Sequence, residues 1–396
     1  MSRGNSRSGK ALERVHSVVK ESQGSPIRAL KRLMEERADV LSLAMGEATF
    51  GAPQELIEAA ARALEEGKNL YTSTNGIPAM REAVADFAKR RWDVDVDPET
   101  SVLMTVGGME AIHLAFRIVV EEGDEVLLPD PGWGMMRTVA ERRGARLIYY
   151  PLARAGTWTY DVDAILERMT DRTKLVCVNS PSNPTGAVLS AEDWPRLTAV
   201  AREKGVFILS DDVYHNFVYD GSHSSALSHG ELENLIVVNS FSKTFAVTGW
   251  RLGHVIAHPW LIHQMGAYKE SISLCSLSIG QWAMSEFLAA SDGYLDWSRA
   301  LCRDNMQKMI ASLKAVPGVS CPEPQGGFYV FLDTSALDPS SAGMTEYLWR
   351  EGVAVVPGGF FGSQGEGCLR LGFAAPWEEI EPALARLQQA LAKKHG

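Results

Sequence analysis

The chain has 396 residues, 45% hydrophobic and 22% charged, enough for one large or two ordinary globular domains with a sizeable core. Its net charge of −10 argues against a nucleic-acid partner or an anionic membrane surface, and no apolar run approaches the roughly 20 residues of a membrane helix. Five scattered cysteines (Cys177, Cys275, Cys302, Cys321 and Cys368) lack CxxC spacing, which predicts no disulfide framework and a reducing, cytoplasmic setting.

Met1 to Lys10 is rich in Ser, Gly and Arg, with no apolar h-region. It reads as a flexible tail, with a short transit peptide as the alternative. Leu41 to Glu47 is a short apolar stretch ending at Gly46. Pro53 opens a helix expected to turn Leu56, Ile57, Ala60 and Leu64 to the core and to close near Gly67. The polar loop Tyr71 to Gly76 precedes a second amphipathic helix around Met80 to Arg91.

From there strand, loop and helix repeat. Apolar runs Val102 to Val106, Glu125 to Leu128, Arg146 to Tyr150, Leu175 to Val178, Val206 to Leu209 and Leu235 to Val238 each read as a strand. A helix from Glu110 to Glu122 follows the first, and Ser190 to Asp193 fits a capping box for a later one. Such a pattern implies an α/β fold whose mixed, mostly parallel sheet is covered by helices on both faces. After about residue 290 long helices (Trp297 to Leu313, Trp377 to Lys394) alternate with short strands, which reads as a smaller α+β domain. The expected division is a large domain over 51–290 and a small one over 291–396, with the segment 1–50 packing on the small domain. The glycine-rich tract Gly358 to Gly367 is expected to be a flexible loop.

In parallel sheets ligands bind beyond the carboxyl ends of the strands. Those ends carry Gly107-Gly108, Trp133, Asn183, Asp211 with Tyr214, and Ser240 with Lys243. A lysine there condenses with an aldehyde, and Ser and Arg hold a phosphate beside it, a set that suits pyridoxal phosphate. Gly107-Gly108-Met109 opens a helix whose free N–H groups would meet that phosphate, although Gly-Gly turns are common. Trp133 either caps the core or stacks on a planar cofactor. Asp211 would keep a pyridine nitrogen protonated, and Asn183 and Tyr214 would bond a ring hydroxyl. Each of these also has a plain structural reading as a loop residue. Arg370, in the apolar run Leu369-Arg370-Leu371, needs a partner: a salt bridge or a substrate carboxylate. Ser240-Phe241-Ser242-Lys243 also matches the S-x-x-K of serine acyl-enzymes, but companion S-D-N and K-T-G elements are missing. No HExxH or clustered His/Cys pattern supports a metal site.

Taken together, Ser240 to Gly253 (SFSKTFAVTGWRLG), Asn183-Pro184-Thr185-Gly186, Ser210 to Tyr214, Pro324 to Tyr329 and Arg370 resemble the class I/II aminotransferases of the pyridoxal phosphate fold type I. The resemblance implies that Lys243 bonds the cofactor aldehyde, Asp211 pairs with the pyridine nitrogen, and Asn183 and Tyr214 contact the ring hydroxyl. It further implies that Trp133 stacks on the ring, while Gly107, Gly108, Met109, Ser240, Ser242 and Arg251 hold the phosphate. Arg370 and the backbone near Gly46, with Asn183, would hold the substrate carboxylate. Tyr71 matches a tyrosine that reaches the neighbouring subunit's phosphate, which implies a homodimer with shared sites. The usual Gly-Glu-Pro-Asp-Phe is Gly46-Glu47-Ala48-Thr49-Phe50 here, so the substrate-side loop differs. Arg117 lies where some relatives place a cation for a distal carboxylate, and it equally suits a solvated helix face.

The implied activity is transfer of an amino group from an L-amino acid to a 2-oxo acid. Lyases, cyclases and oxidases on the same constellation begin with the same carbanion and form the alternative. A non-catalytic regulator would need a DNA-binding segment before Leu41, and the sequence is not expected to hold one.

Overall fold

The computed structural model describes Arg37 and residues 39–154 and 156–396; the tail expected at Met1 to Lys10 lies outside the described residues. Seven strands form the central sheet in the order Val102–Thr105, Gly253–Ala257, Leu235–Ser240, Phe207–Asp211, Thr173–Asn179, Glu125–Asp130, Arg146–Pro151. Only Gly253–Ala257 pairs antiparallel with its two neighbours, so the sheet is mixed and mostly parallel, as expected. Every residue of Glu125–Asp130 and Leu235–Ser240 is buried, which is why these runs are apolar on both faces. The edge strand Arg146–Pro151 remains partly exposed.

Parallel pairing brings the carboxyl ends of the strands to one edge. Asp211 lies beside Asn179 on one neighbour and Val238 on the other, and Gly253 lies beside both Ser240 and Thr105. Adjacent strands run about 4.8 Å apart, so these ends sit within side-chain reach of one another. Helix Gly107–Val119 packs Ala111, Leu114 and Ala115 into the core beside Leu103, Val238 and Val255, and thereby points its N-terminus at the same edge.

A second, antiparallel sheet contains Tyr329–Asp333, Cys368–Gly372 and Val356–Pro357, in that order. Leu41–Ser42 pairs parallel with Val353–Ala354. Helices Asp292–Lys314 and Trp377–His395 contribute Met309, Leu313, Leu384 and Leu387 to a core shared with Leu43, Val330 and Leu371.

Three local expectations are corrected. Helix Gln54–Glu65 buries Leu56, Ala59 and Ala63, whereas Ile57 and Leu64 are 46% and 52% exposed. The small alanines allow close packing on helix Ser278–Phe287, which turns the larger side chains outward. Ser190 does bond Asp193, accepting its N–H at 3.1 Å and donating to its carboxylate at 2.7 Å. That pairing closes a turn ahead of helix Trp194–Glu203, whose N-cap Asp193 makes no side-chain cap. The glycine-rich tract is not slack. Its two short helical turns, Gly358–Phe361 and Ser363–Gly365, are pinned by Asp130, which accepts the Ser363 hydroxyl at 2.6 Å and the Gln364 N–H at 3.1 Å. A Cβ on Gly358 would lie 2.1 Å from the Gly365 carbonyl oxygen, so glycine is there to let two backbones touch.

Candidate active site

Strand Leu235–Ser240 ends where Ser240 caps a single helical turn, Phe241–Thr244, by accepting the Ser242 N–H at 3.2 Å. The turn carries Lys243, whose Nζ donates to the Gly46 carbonyl. Burial, chiefly, lowers the Lys243 ammonium from 10.5 to about 8; the Arg370 guanidinium pushes the same way and the Glu47 carboxylate opposes it. A lysine so placed loses its proton at about pH 8, well below an ordinary lysine, and there becomes a nucleophile and a base.

Asp211 ends the adjacent strand and is 2% exposed. Burial raises its carboxyl from 3.8 to about 7, with Lys243 pulling it down. Asn179 orders this corner, donating Nδ2 to the Asp211 carbonyl at 3.0 Å and accepting the Asn183 N–H on Oδ1 at 2.8 Å.

Gly107, Gly108, Ser240, Ser242 and Arg251 converge at the N-terminus of helix Gly107–Val119. Gly107 has φ +71, and a Cβ there would lie 2.7 Å from Arg251 Nη2. A Cβ on Gly108 would lie 3.7 Å from that of Ser240. Arg251 itself sits at φ 53 and donates Nη1 to the Thr248 carbonyl at 3.0 Å. Met109 packs its side chain on the sheet's core and offers the cradle only backbone. Helix-terminal N–H groups, hydroxyls and a guanidinium together make an anion cradle.

Arg370, 1% exposed, donates Nη1 to Asn183 Oδ1 at 3.1 Å and Nη2 to the Ala44 carbonyl at 3.2 Å. Its guanidinium lies over the Tyr329 ring at 4.2 Å and the Phe361 ring at 5.2 Å. Nε is buried without a partner, and all its contacts are to neutral groups. A Cβ on Gly46 would approach Arg370 Nη2 to 3.5 Å. Asn183 Nδ2 donates to the Tyr214 hydroxyl at 3.5 Å, and the Tyr214 and Tyr329 hydroxyls are 3.1 Å apart. Trp133 precedes helix Gly134–Arg142 and lines a small cavity together with Asn179 and Phe361.

Two residues singled out in the sequence stand elsewhere. Tyr71 is 84% exposed and makes no contact with the cluster among the described residues. Arg117 is exposed on its helix, with its guanidinium over the Tyr268 ring at 5.1 Å. Sequence reasoning missed Asn179, Tyr329 and Phe361. Asn179 had a legible signal, a polar residue closing an apolar strand. Phe361 had none, because it enters through a tract that reads as a loop.

The family model described as "Aminotransferase class I and II" matches residues 38–387. The chain is 35% identical over 370 residues to an aspartate aminotransferase of Pyrococcus horikoshii, covering 93% of this chain and 94% of that one. It is 33% identical over 380 residues to aromatic-amino-acid aminotransferase 2 of Thermococcus litoralis, covering 93% and 96%. A double mutant of Thermus thermophilus aspartate aminotransferase superposes with TM-score 0.89 at 32% identity, over 95% of this chain and 99% of that one. The lysine-centred sheet edge and these likenesses agree: the chain belongs to the class I and II aminotransferases, pyridoxal 5′-phosphate enzymes that move an amino group from an amino acid to a 2-oxo acid.

Proposed function

We propose that Lys243 Nζ would condense with the cofactor's aldehyde carbon with loss of water and, once the substrate's amine displaces it, would move the proton at the substrate Cα, and that the amino donor is an L-amino acid with an uncharged side chain. The observation that carries the assignment is the Lys243 amine, lowered to about 8 between Arg370, Glu47 and Asp211. The residues fit the cofactor. Gly107 and Gly108 leave the helix N-terminus open beside Ser240 and Arg251, the right donors for a phosphate ester. Asp211, with a carboxyl raised to about 7, is poised to share a proton with a ring nitrogen, and Asn183 and Tyr214 are poised to bond a ring hydroxyl. Trp133 supplies an aromatic face.

Pyridoxal phosphate supplies an electrophilic carbon for an amine and a ring that accepts the electron pair released at Cα. The chain supplies the rest. Arg370, with Nε unpartnered and Nη groups on neutral acceptors, takes the α-carboxylate alongside the Gly46 backbone. Neutral Lys243 Nζ takes the Cα proton and returns it. Phe361, whose ring lies against the Arg370 guanidinium, and Trp133 give the site aromatic walls.

The donor's side chain would lie near Glu47. Its carboxylate accepts the Thr248 hydroxyl at 2.7 Å and lies near enough to Lys243 and Tyr329 to bias both titrations. The family's usual stretch carries the same glutamate, so the distinction comes from Arg117: the cation expected for a distal carboxylate lies exposed over the Tyr268 ring, away from the cluster, which leaves a second carboxylate on the donor without it. Of the activities named for the relatives, the aromatic one fits this better than the aspartate one. The test is to mix purified holoenzyme with single amino acids, with no oxo acid present, and follow the cofactor's visible absorbance. Phenylalanine or tyrosine should discharge it faster than aspartate, and a 2-oxo acid should restore it. Faster discharge by aspartate would reject the donor assignment, and no discharge by any amino acid would reject the site.

We further infer a homodimer. Leu70 and Tyr71 are 77% and 84% exposed, and Ile272, Leu274 and Leu277 add an apolar surface suited to a second copy, whose phosphate Tyr71 would reach. The pairing of Leu41–Ser42 with Val353–Ala354 supports a small domain over 291–396 joined by the segment before residue 50, with 51–290 as the large domain. All five cysteines are free, which supports a cytoplasmic location. No helix among the described residues is long and apolar enough to cross a membrane.

A further inference from the structure

A second basic site shares no residue with the Lys243 cluster. Helix Pro78–Trp92 ends in Arg90 and Arg91, and helix Asp292–Lys314 presents Arg299 and Arg303 four residues apart, hence on one face. These four, with Ser222 and His223, line a cavity of about 360 Å³. Four cations converge there in a chain of net charge −10.

The charges are not balanced locally. Arg90 pairs with Asp292 at 3.3 Å and Arg299 with Asp296 at 2.5 Å. Arg303 donates to the Tyr219 carbonyl, and neither it nor Arg91 has a carboxylate partner among the described residues. Arg91 is half-buried, and burial, then Arg299, push its guanidinium below the ordinary range against the opposing pull of Asp292 and Asp296. Partly desolvated like charges are costly unless an anion joins them. His223 is 8% exposed and keeps Nδ1 without a partner, while its Nε2 lies 3.2 Å from Asp212 Oδ2. The Asp212 carboxylate holds the His223 ring, through its Nε2, as one wall of the cavity.

We propose that this cavity binds the phosphate group of a small phosphate monoester or free phosphate. Guanidinium forks match phosphate oxygens in pairs, and the exposed Ser222 hydroxyl adds a donor. The volume falls within the ~300–1,000 Å³ usual for small-molecule sites and leaves room beyond a phosphate for the rest of an ester. The ligand would sit against His223, whose ring bonds Asp212, the chain neighbour of Asp211.

The test uses holoenzyme, so that the cofactor already fills the Lys243 site. Glycerol phosphate and inorganic phosphate are each titrated calorimetrically at constant ionic strength into wild type, Arg91→Gln and Ser222→Glu. Saturable binding that weakens roughly tenfold or more in both variants is expected, as for a lost or repelled charge-assisted contact. Tighter binding of glycerol phosphate assigns the site to an ester, and equal binding assigns it to free phosphate. Ser222→Glu changes an exposed side chain, so it keeps the test meaningful should Arg91→Gln fold poorly. Absence of saturable binding, or binding unaltered by both variants, overturns the proposal and leaves a solvated arginine ridge.

Discussion

The Tyr214 and Tyr329 hydroxyls meet at 3.1 Å, with the rings edge to face at 5.8 Å. Tyr329 therefore stands between two functional side chains, bonding Tyr214 with its hydroxyl and supporting Arg370 with its ring at 4.2 Å. Burial raises the phenol of each tyrosine, so both stay protonated at physiological pH and one hydroxyl must donate to the other.

Tyr329→Phe keeps the ring under Arg370 and removes only the hydroxyl. Tyr214 is then left with Asn183 at 3.5 Å, a long contact. A net loss of about 1 kcal/mol, roughly fivefold in kcat/KM, is expected, with KM for the amino acid nearly unchanged. A rise in KM that accounts for the whole effect would place the hydroxyl on the substrate instead. Steady-state kinetics on the variant separates the two.

Arg370→Lys is expected to behave almost as badly as Arg370→Ala. The guanidinium spans Asn183 and Ala44 and lies between two aromatic rings, geometry that an ammonium cannot reproduce. Losing the carboxylate clamp costs about 2–5 kcal/mol, which lowers kcat/KM at least ~30-fold. Near-wild-type kinetics for the lysine variant would move the carboxylate contact to another residue.

Lys243 gives a pH signature that does not depend on the substrate. The amine is lowered to about 8, so below that pH it is mostly protonated and cannot attack an aldehyde. The rate at which apoprotein takes up pyridoxal phosphate should rise with pH through about 8 and level off above it, as followed by stopped-flow absorbance. A rise centred near 10.5 would mean that Lys243 is not desolvated as described. Lys243→Ala should bind the cofactor without fixing it covalently on borohydride treatment.

Most of this site was legible because its polar groups interrupt apolar runs at strand ends, where burial makes any polar residue conspicuous. Asp211, Asn183, Lys243 and Arg370 were found in that way. The sheet was legible for the same reason, since runs apolar on both faces need cover on both sides. What escaped depends on contacts distant in sequence. Asp130 pins the turn at Ser363 from 233 residues away and so sets where Phe361 meets Arg370, and neither composition nor period encodes the meeting. The outward turn of Ile57 and Leu64 was missed because hydrophobicity alone ranked them above the alanines that fit the neighbouring helix.

Asp211→Asn should stabilise the apoprotein while weakening cofactor binding. Burial raises the Asp211 carboxyl from 3.8 to about 7, so the folded state prefers it uncharged. Its contribution to stability is fully present below pH 3.8 and is lost as pH rises through about 7. With about 1.36 kcal/mol per unit, the loss by pH 8 is at most about 4 kcal/mol. Asparagine carries no charge and incurs none of it. Lys243, lowered from 10.5 to about 8, titrates at the top of this window and interacts with Asp211, so the comparison is made in a Lys243→Met background that removes its titration. Thermal unfolding of the two apoproteins should therefore show the variant melting higher at pH 8 and the difference closing toward pH 4. A gap that does not change with pH would mean that the Asp211 carboxyl ionises freely in the folded chain, and that its affinity for a ring nitrogen must come from something other than burial.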